Sequence, residues 1–177
     1  MSLPIKKNIL VIGGCRSGKS SQALKLADQF SDNRRTFIAT CVPYDDEMKD
    51  RVARHQKERD NTWKTVEEPV NLHKAITEHG KSSDIILVDC ITLWISNLLL
   101  KTRRIDYILK NVEKLLNAVQ KTECSVIMVS NEVGTGIVPE NDLSRMFRDA
   151  AGFANQHIAN VADQVTWMVA GIPVKIK

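Results

Sequence analysis

An α/β fold, with a mostly parallel sheet and helices on both of its faces, is what this 177-residue sequence predicts. Strand-like and helix-like segments alternate from end to end, which is the pattern of repeated strand–helix–strand units. The strand-like segments are also near-continuous apolar runs, as befits strands buried on both faces. A balance of 43% hydrophobic and 26% charged residues, with 8 Gly and 5 Pro, excludes the disordered, collagen-like and low-complexity classes. A chain of this length buries about 70% of its extended-state surface and needs no disulfide or metal staple. With no internal repeat and no Pro/Ser/Gly-rich linker, residues 1–177 read as one domain.

Residues 8–13 (NILVIG) form a short β-branched run ending in Gly, a buried strand. From Ser17 to Phe30 the apolar positions Ala23, Leu24, Leu26, Ala27 and Phe30 trace a helical stripe. Residues 35–40 (RTFIAT) are a second strand, and Asp45 and Asp46 open a polar amphipathic helix reaching Arg59, acidic where the helix dipole favours it. Trp63–Glu67 reads as a brief extended piece. Pro69 suits the first turn of a helix that runs to His79 and stops at Gly80. Residues 84–90 (DIILVDC) are the clearest buried strand, followed by helical stretches at 92–100 and 106–121. Residues 125–130 (SVIMVS) are another strand and lead into a Gly-rich loop at 132–136. Pro139 opens a long helix to Val161, residues 164–170 are the last main strand, and 174–176 pairs with it as a terminal hairpin.

Net charge is +4, too small to imply a nucleic-acid partner, and the basic residues are interspersed with acidic ones without stacking aromatics. Cys15, Cys41, Cys90 and Cys124 lie far apart with no CxxC, so they read as reduced thiols with neither a disulfide frame nor a zinc site. Residues 1–7 lack the apolar stretch of a secretory signal, and the longest apolar run, 91–100, is too short to span a bilayer. A cytoplasmic protein with no membrane span is expected.

The run Gly13-Gly14-Cys15-Arg16-Ser17-Gly18-Lys19-Ser20 fits G-x-x-x-x-G-K-[ST], with a buried strand before it and an amphipathic helix after it. Its glycines let successive backbone N–H groups turn toward a triphosphate, and the helix N-terminus adds positive potential. Lys19 then neutralises β/γ charge and the Ser20 hydroxyl holds Mg²⁺. Asp89, at the end of the next strongly apolar strand, stands where such proteins keep a carboxylate near the metal, although an Asp there also serves as a helix cap.

Met48, Val52, His55 and Arg59 share one stripe of the 45–59 helix. By its pattern alone His55 is a boundary histidine satisfied by its surroundings. Arg51, Arg54, Lys57 and Arg59 around it either bind phosphate oxygens or form a solvated face, and their charge would keep the imidazole neutral and nucleophilic. His73 and His79 read as surface residues and His157 has no evident role.

Several segments together resemble one family, the bifunctional adenosylcobinamide kinase/adenosylcobinamide-phosphate guanylyltransferases of cobalamin biosynthesis. They are GGCRSGKS (13–20), FIAT (37–40), DDEM…R…H (45–55), LVDCITLWISNLL (87–99), SNEVGTGIVPEN (130–141), RMFRDAAGFANQ (145–156) and GIPVKIK (171–177). The resemblance implies a P-loop NTPase-like sheet and two reactions: phosphorylation of adenosylcobinamide by ATP or GTP, then GMP transfer from GTP to give adenosylcobinamide-GDP. It makes His55 the nucleophile that carries GMP, with Lys19 beside it in catalysis. It also implies nucleotide contacts from Gly13–Ser20, Ala39, Thr40, Cys41, Gln56, Lys57, Glu58, Arg59, Glu67 and Asp89, with Mg²⁺ at Ser20 and Asp89. Asn131, Glu132, Arg145 and Arg148 are candidate active-site or subunit-contact groups, and the family forms small homo-oligomers, trimers among them. Some relatives carry two consecutive histidines where this chain has Arg54-His55. Two other readings stay open on the residues alone: a monofunctional P-loop kinase that gives His55 no task, and a nucleotide-dependent switch with little turnover.

Overall fold

The computed structural model describes residues 5–31, 33–43, 46, 50 and 61–177. Among the described residues seven strands form one sheet: β1 (Asn8–Gly13), β2 (Arg35–Ala39), β3 (Trp63–Glu67), β4 (Ile85–Asp89), β5 (Ser125–Asn131), β6 (Gln164–Val169) and β7 (Ile172–Lys175). Their spatial order is β3-β2-β4-β5-β1-β6-β7. All pairings are parallel except β6–β7, the expected hairpin. Five helices are described: α1 (Lys19–Ala27), α2 (Leu72–His79), α3 (Ile91–Thr102), α4 (Ile105–Lys121) and α5 (Asp142–Val161).

Side chains alternate across the strands and fill two cores. Leu10, Ile38, Ile86, Val88, Val126 and Met128 face α2, α3, α4 and α5. Ile9, Val11, Phe37, Ile85, Leu87, Ile127 and Val129 face the other way, onto Ala23, Leu26 and Ala27 of α1. The central strands therefore bury both faces, which is why their sequences read as continuous apolar runs. Trp94 is fully buried at the centre of the larger core, and its indole N–H is satisfied by the Val70 carbonyl at 2.8 Å.

Several boundaries differ from the sequence reading. Ser17 belongs to the loop, α1 starts after Gly18, and residues 28–30 close it as a tight turn through Gln29 N–Leu26 O and Phe30 N–Ala27 O bonds. Neither Pro69 nor Pro139 begins a helix. Glu68 Oε1 accepts from the N–H groups of Val70 and Asn71, forming a turn that delays α2 to Leu72. Asn141 accepts from Ser144 N at 2.8 Å and so caps α5 at Asp142. Trp63–Glu67 is a full edge strand, paired with β2 along its length. The hairpin turns at Ala170 and Gly171, both at positive φ, as a two-residue connection with right-handed twist requires. The expected 45–59 helix lies outside the described residues apart from Asp46 and Asp50.

His73, read as a surface residue, is half-buried on α2, and its Nδ1 is buried without a hydrogen-bond partner among the described residues. Burial, and then the charges of Lys114 and Lys74, hold its pKa below the usual histidine range, with Glu68 opposing. A histidine depressed in the fold binds fewer protons folded than unfolded. Its contribution is intact above the unfolded value of about 6.5 and is lost as pH falls toward the folded value. In urea titrations, stability should fall more between pH 7.5 and 5.5 in the wild type than in His73→Asn. Equal losses would show that His73 is not coupled to folding.

Candidate active site

The carboxyl ends of the parallel strands converge on one edge of the sheet, the edge where open α/β sheets place ligands. Register fixes what meets there. Ala39 pairs with both Glu67 and Asp89, Asp89 pairs with Val129, and Gly13 pairs with Asn131 and Met168. The strand ends thus bring the phosphate loop, Ala39, Glu67, Asp89 and Asn131 to one edge, although they are scattered through the sequence.

The loop 13–20 joins β1 to α1. A Cβ at Gly13 would lie 2.6 Å from the Met168 carbonyl oxygen and 2.8 Å from Ser17 Oγ, so the position is closed to any side chain. Gly18, at φ 90°, supplies the left-handed residue that ends the loop and starts α1. Arg16 also has positive φ. Lys19 is buried, with its ammonium donating to the Gly14 carbonyl across the loop. Ser17 Oγ is buried with no partner among the described residues, packed against Gly13. The β6–β7 turn braces the loop from outside, Gly171 N donating to Ser17 O at 3.2 Å.

Ser20 Oγ donates to Asp89 Oδ2 at 2.9 Å. The cap reading of Asp89 does not hold: Cys90 takes the N-cap position of α3, which has no side-chain cap, while the Asp89 carboxylate turns to the phosphate loop. Cys90 itself is buried, and desolvation, followed by the adjacent Asp89 charge, pushes its thiol up to about 11. Among the described residues no group of three or more His, Cys, Asp or Glu is placed to hold a metal.

Thr40 is fully buried. Its Oγ1 donates to the Cys90 carbonyl and accepts from Cys90 N, and its backbone N–H donates to Asp89 O. Asn97 Nδ2 bridges the Thr40 and Pro69 carbonyls. Thr40 therefore anchors β2 to the residue after Asp89, while Ala39 and Cys41 flank it half-buried. Glu67 is exposed at the end of β3. His55, Gln56, Lys57, Glu58 and Arg59 lie outside the described residues.

The loop after β5 is tied down on both sides. Glu132 N donates to Gly13 O, its carboxylate accepts from Gly134 N, and Arg148 donates to Gly134 O. Arg145 donates to the Pro139 and Glu140 carbonyls. Both arginines read from the sequence as site candidates thus hold the loop's own backbone. Thr92, Ser130 and Asn155, which lie within the family-like segments but received no role from the sequence, form a polar cluster around Asn131. Their polar character at otherwise apolar element faces was the available signal.

Residues 9–176 match the model of the cobinamide kinase/cobinamide phosphate guanyltransferase family. The chain belongs to that family. Curated relatives cover nearly the whole of it. It is 41% identical over 170 residues to the bifunctional adenosylcobalamin biosynthesis protein CobP of Pseudomonas aeruginosa, spanning 95% of this chain and 96% of the relative. It is also 41% identical over 181 residues to the corresponding CobU of Salmonella typhimurium, spanning 96% and 99%. Among solved structures, an ATPase domain superposes with a TM-score of 0.57 at 13% identity, over 92% of this chain and 69% of that one. The flagellar accessory protein FlaH from Methanocaldococcus jannaschii superposes at 0.54 with 15% identity, over 99% and 80%. These two share the fold, a P-loop NTPase-type parallel sheet. Among the described residues no helix is long and apolar enough to cross a membrane.

Cys15 is exposed within the loop, Cys41 is half-buried, and Cys90 and Cys124 are buried with raised pKa values. Iodoacetamide should therefore alkylate Cys15 in the folded protein while sparing Cys90 and Cys124. A triphosphate with magnesium, at ten times its dissociation constant, should slow that reaction about tenfold. Unchanged Cys15 labelling, read by peptide mass spectrometry, would place the nucleotide elsewhere.

Proposed function

We propose that the chain phosphorylates the aminopropanol hydroxyl of adenosylcobinamide with ATP or GTP, then transfers GMP from GTP to that phosphate through His55, giving adenosylcobinamide-GDP. The observation that carries this reading is the phosphate loop with its Ser20–Asp89 contact, standing at the ligand-binding edge in a chain of this family. The amides of residues 13–20 and the Lys19 ammonium bind the β- and γ-phosphates. Ser20 and Asp89 are hard oxygen donors that suit Mg²⁺, which when bound offsets charge on the phosphates. Ala39, Cys41 and Glu67, on the neighbouring strand ends, line the nucleotide's path, and Gln56–Arg59 add contacts beside His55.

In the second reaction a neutral His55 nitrogen bonds to the α-phosphorus of GTP. The bond from that phosphorus to the bridging oxygen breaks, its electron pair leaving with pyrophosphate, which the loop amides and Lys19 stabilise. A phosphate oxygen of adenosylcobinamide phosphate then attacks the same phosphorus and frees the histidine. A cytoplasmic, homo-oligomeric enzyme without a nucleic-acid partner completes the reading. Denatured protein should retain acid-labile label from [α-³²P]GTP and none from [γ-³²P]GTP, and His55→Ala should retain neither. Binding of nucleotide without α-label would favour the monofunctional kinase or the switch.

A further inference from the structure

Asn131 ends β5, between the strand that carries the phosphate loop and the strand that carries Asp89. It pairs in register with Gly13, and parallel neighbours run about 4.8 Å apart. Its side chain is held by Thr92, and its backbone by both Thr92 and Asn155. Backbone N and Nδ2 of Asn131 both donate to Thr92 Oγ1 at 3.0 Å. The Thr92 hydroxyl also lies 3.5 Å from the Cys90 sulfur, a further contact that fixes it. From the other side Asn155 Nδ2 donates to the Asn131 carbonyl at 3.2 Å, and Asn155 Oδ1 accepts from the buried Ser130 hydroxyl at 2.6 Å.

Thr92 on α3 thus orients the half-buried Asn131 amide, while Ser130 on β5 and Asn155 on α5 fix the backbone that carries it. A packing role would be met by an apolar side chain without the desolvation that buried Thr92, Ser130 and Asn155 incur. Thr92 takes one of the two Nδ2 protons, which leaves the amide its Oδ1 acceptor and a second N–H donor without a protein partner among the described residues. An acceptor and a donor on one rigid group, beside the phosphate loop, match an alcohol hydroxyl approaching a γ-phosphoryl group.

We propose that Asn131 is a catalytic residue of the phosphorylation step, orienting the acceptor hydroxyl against the γ-phosphate, and that Thr92 and Asn155 are its positioning residues. The proposal rests on the kinase half of the function given above. Oδ1 accepts the hydroxyl hydrogen and aims the oxygen lone pair at phosphorus, while the free N–H donates to a γ-phosphoryl oxygen. The oxygen–phosphorus bond forms as the bond to the β–γ bridging oxygen breaks. That electron pair leaves on the nucleoside diphosphate, and the alcohol proton passes to solvent. Asn131 does not change its own protonation; its effect is alignment.

The test compares wild type, Asn131→Ala and Thr92→Val, assaying phosphorylation of adenosylcobinamide, nucleotide binding and thermal unfolding. Asn131→Ala should lower kcat about 100-fold, as losing one aligned polar contact in a transition state does. Its nucleotide Kd should stay within about threefold of wild type, since the loop amides and Lys19 carry most of the phosphate binding and Asn131 acts chiefly on the acceptor hydroxyl. Thr92→Val should lower kcat about tenfold through the loosened amide. A kcat for Asn131→Ala within about threefold of wild type would overturn the proposal. So would a loss of kcat matched by equal losses of nucleotide affinity and thermal stability. A wild type that binds nucleotide but phosphorylates no adenosylcobinamide would instead overturn the functional reading beneath it.

Discussion

The site depends on how closely β1 is held between β5 and β6. At Gly13 the next strand's backbone comes so near that no side chain fits, and one residue later the chain turns out of the sheet to form the phosphate loop. That approach sets the height of the loop above the sheet edge, and so its relation to Asp89, Asn131 and the brace from Gly171. The glycine is fixed by packing as much as by backbone freedom. Adding a methyl group there would push against backbone, which moves far less readily than a flexible side chain.

Apolar burial supplies the rigidity that this geometry needs. The two faces of the sheet bury aliphatic side chains in alternation, and each fully buried one contributes about 1.5–3 kcal/mol. Polar contacts do a different task at the carboxyl edge. Thr40 and Asn97 fasten β2 and the turn before α2 to the strand end that bears Asp89. Thr92 and Asn155 fasten Asn131, and Arg145 and Arg148 fasten the loop beyond it. Hydrophobic packing positions the strands, and hydrogen bonds then orient the few polar groups at the carboxyl edge.

Much of this was legible in the sequence. Residues 13–20 announce the phosphate loop because its chemistry is local, each contributing side chain or amide lying within eight consecutive positions. The buried strands were legible because two-sided burial leaves only apolar residues. Helix starts were harder. Pro69 and Pro139 fit a first helical turn, yet Glu68 and Asn141 set the boundaries through hydrogen bonds that no periodicity reveals. Thr40, expected among the nucleotide contacts, has its hydroxyl engaged as a buried clamp on Cys90. Thr92 and Asn155 were invisible as a pair, since they lie far apart in the chain and meet only through the pairing of β5 and the packing of α5. His55 owed its role to the family resemblance, and its position lies outside the described residues.

One phosphate loop serving both transfers is the central claim, and Lys19→Met tests it most directly because it removes the charge and keeps the side-chain length. Phosphorylation of adenosylcobinamide and GMP transfer to separately supplied adenosylcobinamide phosphate would be measured on one preparation, with thermal unfolding as the control for folding. Both rates should fall on the order of 100-fold or more, because each departing group loses the same buried cation. GMP transfer at the wild-type rate in a folded variant that no longer phosphorylates would contradict the account, since it requires a second nucleotide site.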